Sequence, residues 1–240
     1  MLNLFKIERY KMRRFTPFYA SLGFLVFLVV YGIIVGIKQS YIDANPNGCM
    51  YDGFKDGITD CSFSFLFGML IAWYVGIEFT NRTLHRVIVT GNKRWIVIIS
   101  QLIATTILTS IFHLGLIGQT TIMYGSGFGY SFDGFNSKDI VWIAVVILQI
   151  MAMNAFYIMI SYICGNVYTA LFACVSVSLI GGNILRNVFR GNYIYEHSLF
   201  CLAKSSANSD LIPCAICAII AIVVFVTVTI ILFNKRDVTN

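Results

Sequence analysis

Six stretches of this chain run for 17 or more residues without a lysine, arginine, aspartate or glutamate: 17–37, 61–77, 95–124, 140–163, 167–185 and 211–233. A helix needs about 20 apolar residues to cross the hydrocarbon of a bilayer. Backbone inside that layer must bond to itself, so these stretches are expected to be helices. Only 12% of the 240 residues are charged, 58% are hydrophobic, and the mean hydropathy is +0.79. That is about half the charge of an average globular chain. Too little polar surface remains to clothe a water-exposed fold, and a disordered chain would be polar and charged. The expectation is an all-α membrane protein, a single transmembrane domain over 1–240 with six spans and no room for a soluble catalytic domain.

The third stretch is the longest, and its tail through Gly125, Gly127 and Gly129 is expected to leave the membrane as loop. Only Cys164-Gly165-Asn166 separates the fourth and fifth, which reads as a tight turn between antiparallel helices. Orientation follows from lysine and arginine, which favour the cytoplasmic side. With the N-terminus inside, segments 1–16, 78–94, 164–166 and 234–240 hold 11 basic side chains in 43 residues. The outer segments 38–60, 125–139 and 186–210 hold 6 in 63. Both termini are therefore expected in the cytoplasm. The net charge of +6 faces anionic lipid there, not nucleic acid. Residues 1–16 are basic, but the 21-residue apolar run that follows is too long for a signal peptide core. It reads as a retained first span.

The six stretches carry no formal charge and one histidine, His113. Ion-coupled carriers usually hold their ion on intramembrane carboxylates or histidines, so that class is disfavoured. His113 reads as a hydrogen-bonded interior histidine. His85, His113 and His197 are too far apart in sequence for a zinc protease motif. Ser126 lacks the first glycine of a nucleophile elbow, because Tyr124 stands there. No phosphate-binding Gly-Lys-Ser/Thr loop occurs. An enzyme is not expected, nor a metal site: Cys214 and Cys217 have no second pair and read as small packing residues. Cys49 and Cys61 fall on the expected outer side, where a disulfide is open to them, although the odd total of seven argues against a dedicated framework.

The most informative segment joins the second and third stretches, from Glu78 to Arg94. Thr80 and Asn81 suit a helix N-cap. Leu84, Val87 and Ile88 make one apolar stripe, with Arg82 and Arg86 on another side. Gly91 can take the left-handed conformation that ends a helix. Lys93 and Arg94 are expected to snorkel at the entrance of the third span. The product is a short amphipathic helix on the inner surface, which either stabilises its hairpin or inserts into a groove on a cytoplasmic partner. Glu78 is the sole carboxylate at the inner end of a span. It is either an exposed partner of Arg82 at i, i+4 or part of a fixed ion pair that orients this helix.

The segment resembles the coupling region of ABC-2 type permeases, the membrane subunits of one class of ATP-binding-cassette transporter. Their pattern runs approximately Glu-aromatic-x-x-x-Thr-Leu/Ile-Arg, then Gly-x-x-Arg, then Ser-Lys-Leu. Here it is supplied by Glu78, Phe79, Thr83, Leu84, Gly91, Arg94, Ser100 and Leu102. The chain departs at His85, where arginine is common, and at Gln101, where lysine is usual. The resemblance implies an N-terminal interfacial helix, which residues 1–15 could form. It also implies short re-entrant helices in 186–210, a connection with Phe189, Tyr193, Tyr195, Leu199, Phe200 and Leu202.

The mechanism implied is alternating access in a multi-pass protein of a bacterial plasma membrane. Two copies of the chain, or one copy and a paralogue, would enclose the path. Two separate ATPase subunits would bind ATP and magnesium and dock on the helix carrying Glu78, Arg82, Thr83, Leu84, Arg86, Val87, Ile88, Gly91 and Arg94. No cofactor is expected in this chain. Gly32-x-x-x-Gly36 permits close helix approach, within the bundle or between subunits. Phe65, Met69 and Trp73 of the second span and Tyr168, Phe172 and Ser176 of the fifth are candidates to line the path. Aromatic and hydroxyl groups without charge suit an amphipathic peptide or lipid-like cargo. In size and layout the chain is similar to small peptide-exporting permeases, such as phenol-soluble-modulin exporters and lantibiotic-immunity permeases. The alternatives are a self-contained secondary carrier or channel, or a membrane-embedded sensor.

Overall fold

The computed structural model describes residues 2–35, 48–60, 64–81, 83–89, 91–181 and 201–235. Among them every regular element is helical: α1 (Leu2–Arg14), α2 (Thr16–Val35), α3 (Met50–Thr59), α4 (Ser64–Thr80), α5 (Thr83–Val89), α6 (Arg94–Phe128), α7 (Ser137–Cys164), α8 (Val167–Ser176) and α9 (Asn208–Lys235). The helices α6, α7 and α9 are each long and apolar enough to cross a membrane. The bent pairs α1–α2 and α3–α4 also pass that test when each is taken as one span, which gives three to five candidate spans. The stretch expected to span at 167–185 is short as a helix. After α8 the backbone continues as a π turn over Val177–Gly181, and residues 182–185 lie outside the described region.

Glycine sets how closely the helices approach. Gly68, Ala72 and Gly76 recur every four residues on α4, and α4 packs on α8. A Cβ on Gly76 would lie 2.8 Å from the Val167 Cα, and one on Gly68 would lie 3.3 Å from the Cys174 carbonyl. Gly32 of α2 packs inside the bundle, where a Cβ would meet the Met123 sulfur of α6 at 3.3 Å. Gly36 lies outside the described residues. An equally close approach lies elsewhere. Gly53 and Gly57 turn one face of α3 onto α6, and Cβ atoms there would lie 2.8 Å from the Thr120 carbonyl and the Ile117 Cα respectively. Small residues four apart let two backbones touch. A helix thus occupies part of what reads as an outer loop.

Two expectations about turns meet different outcomes. The glycine-rich tail of the third stretch is not loop: α6 continues to Phe128, and Gly129 ends it at φ 95 with its N–H on the Gly125 carbonyl. Gly125 itself is buried against the Tyr130 ring. The turn at 164–166 forms as expected. Gly165 takes φ 63, its N–H bonds to the Ser161 carbonyl, and Asn166 caps α8 by accepting from the Tyr168 N–H.

Phe189, Tyr193, Tyr195, Leu199 and Phe200 lie outside the described residues, but the chain returns at Cys201 in a buried, non-helical run. Leu202 and Ala203 are 3% and 1% exposed. Gln149 of α7 donates to the Cys201 carbonyl at 3.1 Å and accepts from the Ala203 N–H at 2.9 Å, while the Trp142 indole donates to the Ala203 carbonyl at 2.7 Å. These side chains satisfy backbone groups that a helix would satisfy internally. Cys49 is a free thiol, donating to Asp52 at 3.4 Å; Cys61 lies outside the described residues.

Candidate functional site

The helix α5 has its apolar stripe where the sequence places it. Leu84 is 2% exposed, Val87 and Ile88 are half-buried against the core, and Val89 is 70% exposed on the far side. Gly91 ends it at φ 88, with its N–H on the Ile88 carbonyl at 2.9 Å. The Asn92 amide closes the same end, donating to the Val87 carbonyl at 3.0 Å. The start differs. Thr80 does not cap α5; it ends α4, with its hydroxyl on the Gly76 carbonyl, and Asn81 continues the ladder to Ile77. The Thr83 hydroxyl reaches back to the Glu78 carbonyl at 3.4 Å, the side-chain link between α4 and α5. Arg82 lies outside the described residues, as do the side chains of His85 and Arg86.

Glu78 is neither exposed nor turned towards α5. It is 3% exposed, and its carboxylate faces α1 and α6. Lys11 donates to Glu78 Oε1 at 2.7 Å and to Glu8 Oε1 at 2.8 Å. The Gln101 amide donates to Glu78 Oε2 at 2.9 Å and accepts from the Tyr162 hydroxyl at 2.8 Å. The Tyr74 hydroxyl donates to the other Glu8 oxygen. All four carboxylate oxygens are engaged, and the cluster draws on α1, α4, α6 and α7. Rings seal it: Phe15 packs edge-on to Tyr74 at 5.2 Å, and Phe79 and Phe233 edge-on to Tyr162, each at 5.0 Å. Burying two carboxylates and one ammonium is costly, and such a network persists only when its members are satisfied. Glu78 does hold an ion pair, but not one that orients the α5 helix. Its partner is Lys11, and what it holds in place is the first helix.

Comparison of the chain with protein-family models, curated proteins and solved structures finds no match.

Arg94 does more than snorkel. Its guanidinium donates to the Phe233 carbonyl and, at 3.2 Å, to the Asn234 carbonyl, and it stacks 5.2 Å from the Phe233 ring. It thus engages carbonyls in the last described turn of α9, the end of the helix that carries negative partial charge. Arg94→Ala is expected to cost about 2 kcal/mol, read as a lower unfolding midpoint in detergent and faster amide exchange in the last turn of α9. Arg94→Lys should restore less than half, because an ammonium lacks the planar fork and the stacking face.

The candidate lining residues face outward. Tyr168 and Phe172 are 77% and 78% exposed, Met69 and Trp73 are 39% and 38%, and Phe65 and Ser176 are half-buried. They lie on one flank formed by the adjacent helices α4 and α8. Among the described residues, no three His, Cys, Asp or Glu side chains converge to hold a metal. His113 is buried at 2% exposure beside the Phe67 ring, with the Ile58 backbone close enough to interact with it.

Sequence reading misses Glu8, Lys11, Tyr74, Gln101, Tyr162 and Phe233. One signal is available in advance: Glu8 is the only acid among five bases in residues 1–16.

Proposed function

We propose that this chain is the membrane permease subunit of an ABC-2 type exporter, with six spans and both termini in the cytoplasm. Two copies, or one copy and a paralogue, would form the path, and separate ATPase subunits would drive it. The observation that carries this reading is α5: a short helix, pinned on one face, joining α4 to α6 in sequence, with Val89 presented outward. A partner pushing on α5 would displace α4 and α6 together, because Glu78 of one is bonded to Gln101 of the other. Motion would then reach α1 through Lys11 and α7 through Tyr162.

The outward flank of α4 and α8 would border the path once a second subunit faces it. Aromatic and hydroxyl groups there suit an amphipathic peptide or a lipid-like molecule better than a strongly charged solute.

The test is co-purification of the chain with candidate ATPase subunits, such as one encoded in the adjacent reading frame, followed by ATPase assays with amphipathic peptides and lipids. Val89→Glu should weaken ATPase association about tenfold or more, since docking would bury an unpaired charge. Its unfolding midpoint should stay unchanged, because Val89 is 70% exposed. Capture of no ATPase, together with cargo movement driven by an ion gradient alone, would favour a self-contained carrier instead.

A further inference from the structure

The first helix has two faces of different chemistry. Glu8, Lys11 and Phe15, at i, i+3 and i+7, turn inward to the buried cluster. Lys6, Arg9, Arg13 and Arg14 are exposed on the other side. Among the described residues the nearby acids are already engaged: the only acid of α1, Glu8, is buried and bonded to Lys11 and Tyr74, and Glu78 is buried and bonded to Lys11 and Gln101. Among the described residues, no carboxylate lies within ion-pair distance of any of the four. Four cations are therefore held close together by a helix that the buried cluster keeps in place.

Geometry says what meets them. The helix bends by 53° from the axis of α2. The outer side of α2 carries Val26, Phe27, Val30, Tyr31 and Ile34, all about half or more exposed and suited to acyl chains. With α2 in a bilayer, a basic helix bent by 53° from its end would meet the headgroup layer. Tyr10 and Tyr19 are 57% and 52% exposed at this level, where amphipathic rings concentrate. Arg14 stacks 4.7 Å from the Tyr10 ring, and the Tyr19 hydroxyl ties to the Arg13 carbonyl at 3.2 Å, so the base of the patch is braced.

We propose that the outer face of α1, formed by Lys6, Arg9, Arg13 and Arg14, is a binding site for anionic phospholipid headgroups. The site does not depend on the transport reading; it requires only that the bundle sit in a bilayer. Each basic side chain near an anionic surface is worth about fivefold in affinity, so four together select anionic over zwitterionic lipid strongly.

The experiment uses the full chain in mild detergent, with native mass spectrometry to titrate short-chain phosphatidylglycerol against phosphatidylcholine. The intact protein should prefer phosphatidylglycerol by about tenfold or more. Arg9→Gln with Arg13→Gln should reduce the preference to about twofold or less at an unchanged unfolding midpoint, since both side chains are exposed. Should that pair fold poorly, Lys6→Gln with Arg14→Gln supplies the same reading. Lys93→Gln with Lys235→Gln removes two exposed bases of the same end outside α1, and should leave the preference intact. An undiminished preference in the α1 variants, or an equal loss in the Lys93 and Lys235 variant, would overturn the assignment. So would complete competition by millimolar inorganic phosphate or pyrophosphate, which would make the site one for soluble phosphate.

Discussion

Lys11→Met is expected to be among the most destabilising single substitutions in the chain. The methionine keeps most of the side-chain volume and removes one charge, leaving Glu8 and Glu78 buried at 3% exposure each with no cation between them. Removing one member of a buried ionic network costs about 3–5 kcal/mol, more than the network as a whole contributes. A drop in the unfolding midpoint on the order of 10 °C should follow, read by tryptophan fluorescence in detergent. The control is the fully neutral cluster, in which Lys11→Met is combined with Glu8→Gln and Glu78→Gln. With no uncompensated charge, that variant should regain most of the loss. If Lys11→Met alone unfolds at the temperature of the parent, the two carboxylates are not buried beside it as described.

Gly57→Val should detach α3. Even the first added carbon would overlap the Thr120 hydroxyl and come within 2.8 Å of the Ile117 Cα, which is backbone and cannot rotate aside. Overpacking a tight contact typically costs 1–3 kcal/mol, but α3 has an easier escape, because it can lift off α6 as a unit. The Tyr51 hydroxyl bond to Asp139, at 3.0 Å, and the Phe54 packing on Phe132 and Phe135, each at 5.6 Å, would go with it. The readout is the thiol of Cys49 at the start of α3, in a background where it is the only cysteine. Its maleimide labelling should accelerate about tenfold or more in Gly57→Val, with Gly57→Ala intermediate. Equal rates in all three would mean that α3 is not held by this contact.

How much of this was legible in the sequence depends on the range of the interaction. The cores of α2, α4, α6, α7 and α9 coincide with the charge-free stretches, because an apolar environment leaves backbone groups no partner except one another. The turn at Gly165 and the stop at Gly91 were readable, since each needs a backbone conformation that glycine alone takes easily. The helix α3 was not readable. Asp52, Lys55, Asp56 and two glycines look like a solvated loop, and the glycines become favourable only once the surface of α6 is there to meet them. The same is true of the end of α6, where Gly125 remains helical because Tyr130 packs over it.

The site was half legible for the same reason. Glu78 stands out in sequence as an isolated carboxylate at the end of a span, and the Leu84, Val87 and Ile88 stripe follows from helical period. The nearest base to Glu78 in sequence is Arg82, whereas its partner in space, Lys11, comes from α1. Gln101 reads in isolation as the loss of a positive charge near α6. In the fold its amide is needed as it is, one end donating to Glu78 and the other accepting from Tyr162, while Lys11 supplies the cation.

Because α1 is synthesised before the helices that receive it, Glu8 and Lys11 can at first pair only with each other. Their remaining partners, the Tyr74 hydroxyl and the Glu78 carboxylate, arrive only with α4, and the cluster closes only after α6 and then Tyr162 near the end of α7 have left the ribosome. Until then the nascent chain carries charges it cannot bury, which keeps α1 at the water boundary and out of the hydrocarbon. A chain interrupted before α7 would keep an unfinished polar seam, a mark by which membrane quality-control proteases could tell partial products from complete ones.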